Sequence, residues 1–367
     1  MLIPTEPIGS IPRPAELIAA FQDKQANVIS SQQFEAIAER ALRDTIRRFE
    51  ETGSPVITDG EQTKPSFATY PIDGLPNLAA DGAVIPFADG HTRQLPRLTA
   101  GPFRYATYAS TYLATAKRLT ALPVKQAVIS ASALSLLYPA SGIPGYSRDT
   151  FLSELVGEAA ADIRQCLAQG ADSVQIDFTE GRLSLKLDPS GGLLENFVAL
   201  NNQVLDRLSP LELDRTGVHV CPGGDRDSTH SADIDYAGLL PALFQLRVKR
   251  FYLQLASEKD PERVLKIIRQ QLPHDRNVRV YVGVIDPINP VVETPQQVCE
   301  RVLQAAEYLP LSQLGTTDDC GFAPFADDAS TSRDIAFEKI RARVEGTRLA
   351  SEKLASSKLE RGGVVID

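Results

Sequence analysis

The sequence predicts an α/β fold, a (β/α)8 barrel with an N-terminal hairpin excursion. Eight short strand-like runs alternate with amphipathic helical patterns at βα spacing. A length of 367 residues is one that an α/β barrel holds as a single domain, here expected to run from 1 to 367. No glycine-rich phosphate-binding pattern follows any strand run, so the nucleotide-binding form of the rival architecture, an open doubly wound sheet, lacks support.

Each element has a local reason. Ile3–Gly9 forms a first short strand. Ser30–Glu51 has helical spacing, and Ser30 with Gln33 makes a capping box. Pro55–Gly60 is a second strand. Residues 71–105, rich in Pro, Gly and Asp, form the excursion, with a hairpin across Val84–Arg97. Val124–Ser130 is the third strand. Thr150–Gln169 places Leu152, Leu155, Val156, Ala159, Ile163 and Leu167 on one helical stripe, and Gly170 caps its end. Ser173–Asp177, Gly217–Cys221, Phe251–Leu255, Val278–Val284 and Leu311–Thr316 complete the strands. The helices beginning at Pro261 and at Thr294-Pro295 put proline in the first turn, where its missing N–H costs least. Arg333–Lys353 is a closing helix, and the chain beyond Leu354 is expected to fray.

Composition narrows the function. A net charge of −9 with no Lys/Arg stripe argues against nucleic acid. No apolar run approaches the ~18–20 residues that span a bilayer. The first residues lack the basic region and apolar core of a signal peptide. The four cysteines are too dispersed for a disulfide framework, so a reduced, cytoplasmic location is expected. Cys166 and Cys299 fall in helical patterns and read as small buried apolar residues.

The chemistry concentrates at strand ends. His219 and Cys221 are two residues apart on one strand, so they share a face. Cys320, at a distant strand end, can close a site whose ligand types suit Zn2+. An isolated His-x-Cys is as easily a satisfied core histidine beside a buried cysteine. The strand-end placement, the following Pro222-Gly223-Gly224 and the second strand-end cysteine favour the metal. Ile8-Gly9-Ser10, Asp59-Gly60-Glu61, Gln175-Ile176-Asp177, Leu253-Gln254-Leu255 and Ile285-Asp286 end other strands, at the rim where barrel active sites form. Asp59, Glu61 and Asp177 could each merely cap a helix. Asp225, Arg226, Asp227 and His230 are most simply a solvated loop.

Taken together, Pro7-Ile8-Gly9-Ser10, Asp59-Gly60-Glu61, Gln175-Ile176-Asp177, His219-Val220-Cys221 and Asp319-Cys320-Gly321 resemble the catalytic barrel of the cobalamin-independent methionine synthase family, in a short single-barrel form. The resemblance implies zinc on His219, Cys221 and Cys320. It implies an amino-acid thiol, homocysteine, on Ile8, Ser10, Glu61 and Asp177. It implies a second substrate that donates a methyl group. Three departures fall elsewhere. Gln254 stands where relatives have a glutamate zinc ligand, with Glu258 nearby. Ile288 stands where they have a proton-donating histidine, leaving Asp286 or water as the acid. No Trp exists to stack folate. The expected activity is therefore zinc-dependent methyl transfer to homocysteine from folate, a methyl-corrinoid protein or another activated donor. The alternatives are a related alkyl-thiol transfer or C–S cleavage, and a ligand-binding homologue without turnover.

Overall fold

A computed structural model describes residues 2–273 and 277–362, with side chains to 356. Six parallel strands form a curved sheet in the order Leu314–Asp318, Arg279–Ile285, Arg250–Leu253, Thr216–Val220, Val174–Asp177, Gln126–Ile129. The two N-terminal segments close it into a barrel. Thr5 bridges Thr316 at one edge and Ile57 bridges Val124 at the other, both in parallel. The two segments meet each other through Ile11 N–H to the Gly60 carbonyl (3.0 Å) and Thr58 Oγ1 to the Gly9 carbonyl (2.8 Å).

The strands expected at Ile3–Gly9 and Pro55–Gly60 are thus single bridges. Pro4, Pro7 and Pro55 have no N–H to give a ladder, which limits pairing. The helix at Arg148–Ala168 and the capping box at Ser30 are as expected, and Gly170 takes a left-handed φ of +81° after the helix. The last helix runs on to Gly362, past the point where fraying was expected, and residues 363–367 lie outside the described residues. The excursion is a nested hairpin, with Val84–Pro86 paired to Thr92–Gln94 and Leu78–Ala79 paired to Arg97–Leu98.

The barrel interior is polar at its floor. Lys125, Gln175 and Tyr252 point inward, because strand parity sends alternate residues to the other face. The opposite residues, such as Val128, Ile176, Val218, Phe251 and Val282, are buried against the surrounding helices. Tyr252 and Tyr281 stack with centroids 4.7 Å apart. Gly217 makes room for them: a Cβ there would lie 2.7 Å from the Tyr252 ring. The final helix fastens the closing edge. Arg343, fully buried, pairs with Asp318, whose carboxylate also receives the Ile8 N–H at 3.4 Å. Arg343→Met would leave Asp318 buried without its cation, a change that costs about 3–5 kcal/mol. We expect a correspondingly lower urea midpoint. An unchanged midpoint would show that Asp318 finds water or loses its charge at little cost.

Candidate active site

Two neighbouring strands bring the candidate residues together. Asp177 and His219 are direct lateral partners on adjacent parallel strands, so their side chains rise side by side at the rim. Cys221 follows His219 by two residues. Cys320 comes from the loop after the Leu314–Asp318 strand. Ligand atoms of His219, Cys221 and Cys320 all lie within 4.8 Å of one another, and no other His/Cys/Asp/Glu group of this kind occurs among the described residues.

The donor set fits a soft divalent metal. His219 is 2% exposed. Its Nδ1 lies 3.3 Å from the Tyr252 carbonyl, which fixes a proton there. Its Nε2 is buried and has no hydrogen-bond partner. The Cys221 and Cys320 sulfurs are 3.0 Å apart, too far for a disulfide. A hydrogen bond from Cys221, with further help from His219, holds the Cys320 thiol well below its usual range. Burial, and then the Cys320 charge, push the Cys221 thiol up. Of the two sulfurs, Cys320 is thus the more acidic.

One small cavity joins this cluster to the substrate candidates. Ile8, Ser10, Glu61, Asp177, His219 and Cys320 all line it. Glu61 is held in a left-handed conformation, φ +54°, by the turn after Asp59, whose Oδ1 accepts the Glu61 N–H at 2.9 Å. Burial, with Asp177 and Asp59 nearby, raises the Glu61 carboxyl to about 7 despite Lys64. Burial also raises Asp177. The site thus concentrates carboxylates that a cation would relieve.

Sequence reasoning missed two residues here. Lys64 is fully buried, donates to Glu61 at 3.1 Å and to the Ala127 carbonyl at 2.9 Å, and lies over the Tyr70 ring. Arg13 is also buried, and all its donors are used. It bonds the carbonyls of Glu61, Gln62 and Lys64 on one loop and of Ala323 and Phe325 on another. One guanidinium thereby ties the Glu61 loop to the Cys320 loop. Ser10 adds a second tie, accepting the Ala323 N–H at 3.2 Å, and a Cβ on Gly321 would fall 2.1 Å from its oxygen. Nothing in the local sequence Pro12-Arg13-Pro14 told where the guanidinium would go.

The other candidates sort differently. Gln254 and Glu258 both accept from Arg182, at 3.2 and 2.8 Å, and the Gln254 amide donates to Ser257. Asp286 lines a wider cleft of about 420 Å³ that also reaches Cys320, Gln254, Glu258 and Ile288. Its Oδ1 accepts the Ile288 N–H at 3.0 Å. The loop after Cys221 is solvated only in part, with Arg226 and Asp227 exposed as expected. Asp225 and His230 are buried because the excursion hairpin docks on them. Arg93 grips Asp225 at 2.5 and 3.0 Å, His91 reaches it at 3.0 Å, and Phe87 packs edge-on against His230.

Comparisons with known proteins agree with this geometry. The model of the cobalamin-independent synthase catalytic domain matches residues 3–337. The chain belongs to that family. It is 23% identical to the methionine synthase of Sulfurisphaera tokodaii over 363 residues, covering 96% of this chain and 94% of that one. A 120-residue stretch is 28% identical to the 2-hydroxypropyl-CoM lyase of Xanthobacter autotrophicus, covering 33% of this chain and 30% of that protein. The structure of a B12-independent methionine synthase from Shewanella sp. W3-18-1, in complex with selenomethionine, superposes with a TM-score of 0.76 at 19% identity, over 97% of this chain and all (100%) of that one. The barrel is therefore the fold of this family. Among the described residues no helix is long and apolar enough to cross a membrane.

The Arg13 clamp can be tested by substitution. Lysine at position 13 could satisfy only part of the carbonyl cluster, and each orphaned buried group costs roughly 1–3 kcal/mol. Arg13→Lys should lower the thermal midpoint by several degrees and speed proteolysis at residues 61–64 or 321–325. A midpoint equal to that of the parent would show that Arg13 does not hold the two loops together.

Proposed function

We propose that the protein is a zinc-dependent methyltransferase that methylates a small amino-acid thiol, homocysteine, to give methionine. The observation that carries this is the shared cavity: the buried His219–Cys221–Cys320 cluster opens on the same space as Glu61 and Asp177. A thiol could reach the metal while its ammonium group meets two carboxylates. The family membership supports the same reading.

In this reading His219 Nε2 and the two cysteine sulfurs hold the metal. Zinc bound there supplies a Lewis acid that lowers the substrate thiol pKa, so a thiolate exists near neutral pH. Glu61 and Asp177 take the ammonium, and the Ile8–Ser10 turn borders the amino-acid end. These contacts fix the sulfur beside the donor, which supplies proximity. The sulfur then forms its bond to the methyl carbon as the donor–methyl bond breaks, and the bonding pair leaves with the donor. Gln254 and Glu258 both accept from Arg182, so His219, Cys221 and Cys320 are the residues that would hold the metal.

The donor approaches through the wider cleft beside Cys320. Its aromatic lining residue, Tyr236, is 1% exposed and spends its hydroxyl on the Gln254 carbonyl. Asp233, Asp235, Glu258 and Asp260 line the cleft with Lys259 and Arg263. That wall offers no free ring for a pteridine and little attraction for a polyglutamate tail. Asp286 lines this cleft and its Oδ1 accepts the Ile288 N–H, so either Asp286 or a water would serve as the acid for a poor leaving group.

Two outcomes are expected. Protein purified without chelator should carry one zinc per chain by elemental analysis, and Cys221→Ser and Cys320→Ser should each lose most of it. Full retention in both variants would dismiss the ligand assignment. With homocysteine and zinc-loaded protein, methylcobalamin should support faster turnover than polyglutamylated methyl-folate. Fast turnover with folate alone would instead assign the proton to Asp286, and Asp286→Asn would then suppress that reaction by ~100-fold or more, in the range of a lost general acid.

A further inference from the structure

We propose that Lys125 and Gln175 are positioning residues that aim the Asp177 carboxylate at the substrate ammonium. A single hydrogen-bonded column joins them. Lys125 Nζ donates to Gln175 Oε1 at 2.8 Å, and Gln175 Nε2 donates to Asp177 Oδ1 at 2.7 Å. Lys125 and Gln175 are fully buried and Asp177 is buried at the rim. The column starts at the barrel floor, where Glu6 lies 3.7 Å from Lys125 and the ammonium sits 4.1 Å over the Tyr252 ring.

The direction of the column is forced. A glutamine amide can present either end, but an ammonium only donates. Lys125 therefore keeps the amide oxygen toward itself and the NH2 toward Asp177. The NH2 takes Oδ1, and the second carboxylate oxygen is left for the cavity that Asp177 lines. Strand parity makes the arrangement possible. Gln175 and Asp177 are two residues apart on one strand, and Gln175 pairs laterally with Ala127, two residues beyond Lys125. Remove Lys125 and the amide can flip, turning its oxygen on the carboxylate. Glu6 would not be orphaned by that change, because Tyr252 donates to it at 2.6 Å and Arg250 at 3.2 Å.

This inference rests on the reading that Asp177 binds the ammonium, and the test separates the two. Calorimetric binding of homocysteine and of 4-mercaptobutanoate, which lacks only the amino group, is measured on zinc-loaded parent, Asp177→Asn, Lys125→Met, Gln175→Met and the two doubles with Asp177→Asn. The parent should prefer homocysteine, and Asp177→Asn should abolish most of that preference. Lys125→Met and Gln175→Met should each reduce it by ~10-fold, the scale of one hydrogen bond to a charged group. Neither should reduce it further in the Asp177→Asn background, whereas a general loss of packing would add. The sign is also diagnostic: by field alone, deleting a buried cation would strengthen binding of an ammonium. Equal preference in the parent, or none lost in Asp177→Asn, would dismiss the ammonium reading and the column with it. A preference lost in Asp177→Asn but kept or increased in Lys125→Met and Gln175→Met would overturn the positioning role alone. If Lys125→Met fails to fold, the near-isosteric Gln175→Met decides.

Discussion

Closure of the barrel by two one-bridge segments is the constraint on which the site depends. Thr5 and Ile57 make the only parallel bridges at the two free edges of the six-stranded sheet among the described residues. The same segments end in Ile8–Ser10 and Asp59–Glu61, so the cavity exists only when the ring is shut. Such short pairing cannot hold by backbone bonds alone. Side chains complete the closure. Thr58 bonds the Gly9 carbonyl, Ser10 the Ala323 N–H, Arg13 five carbonyls, and Arg343 the Asp318 carboxylate. The closing edge is thus a set of polar clamps, and it is built beside the chemistry.

Those clamps explain why so many charges are buried. Isolated, a buried ion is costly, and each one here has a specific partner: Lys64 with Glu61, Lys125 with Glu6 and Gln175, Arg343 with Asp318. Replacing such pairs by apolar residues could preserve a barrel. It would not preserve an oriented carboxylate at the rim. The polar interior trades packing for direction, and the direction is what an ammonium-binding pocket needs.

Much of this was legible in the sequence because it follows short-range rules. Strand-like runs at βα spacing located the six ladder strands, a helical stripe located the Arg148–Ala168 helix, and Ser30 with Gln33 marked a real capping box. The strand ends located His219, Cys221, Cys320, Glu61 and Asp177, because a parallel barrel sends every strand end to one rim. What was not legible depends on long-range placement. Lys64, Lys125 and Arg13 look like surface residues in their local windows, and only the closed ring buries them. Asp225 and His230 read as a solvated loop because the hairpin that covers them lies more than a hundred residues earlier in the chain. The first and second strands were overextended, since local composition marked an extended chain but not how little of it would pair.

The proposed chemistry requires a metal centre with two protein sulfurs and one position left for the substrate. X-ray absorption at the zinc edge tests it most directly. The protein alone should show about two sulfurs at ~2.3 Å with nitrogen or oxygen completing the shell, and homocysteine should raise the sulfur count by about one. A sulfur count that stays the same when homocysteine binds would contradict a thiol activated at His219, Cys221 and Cys320.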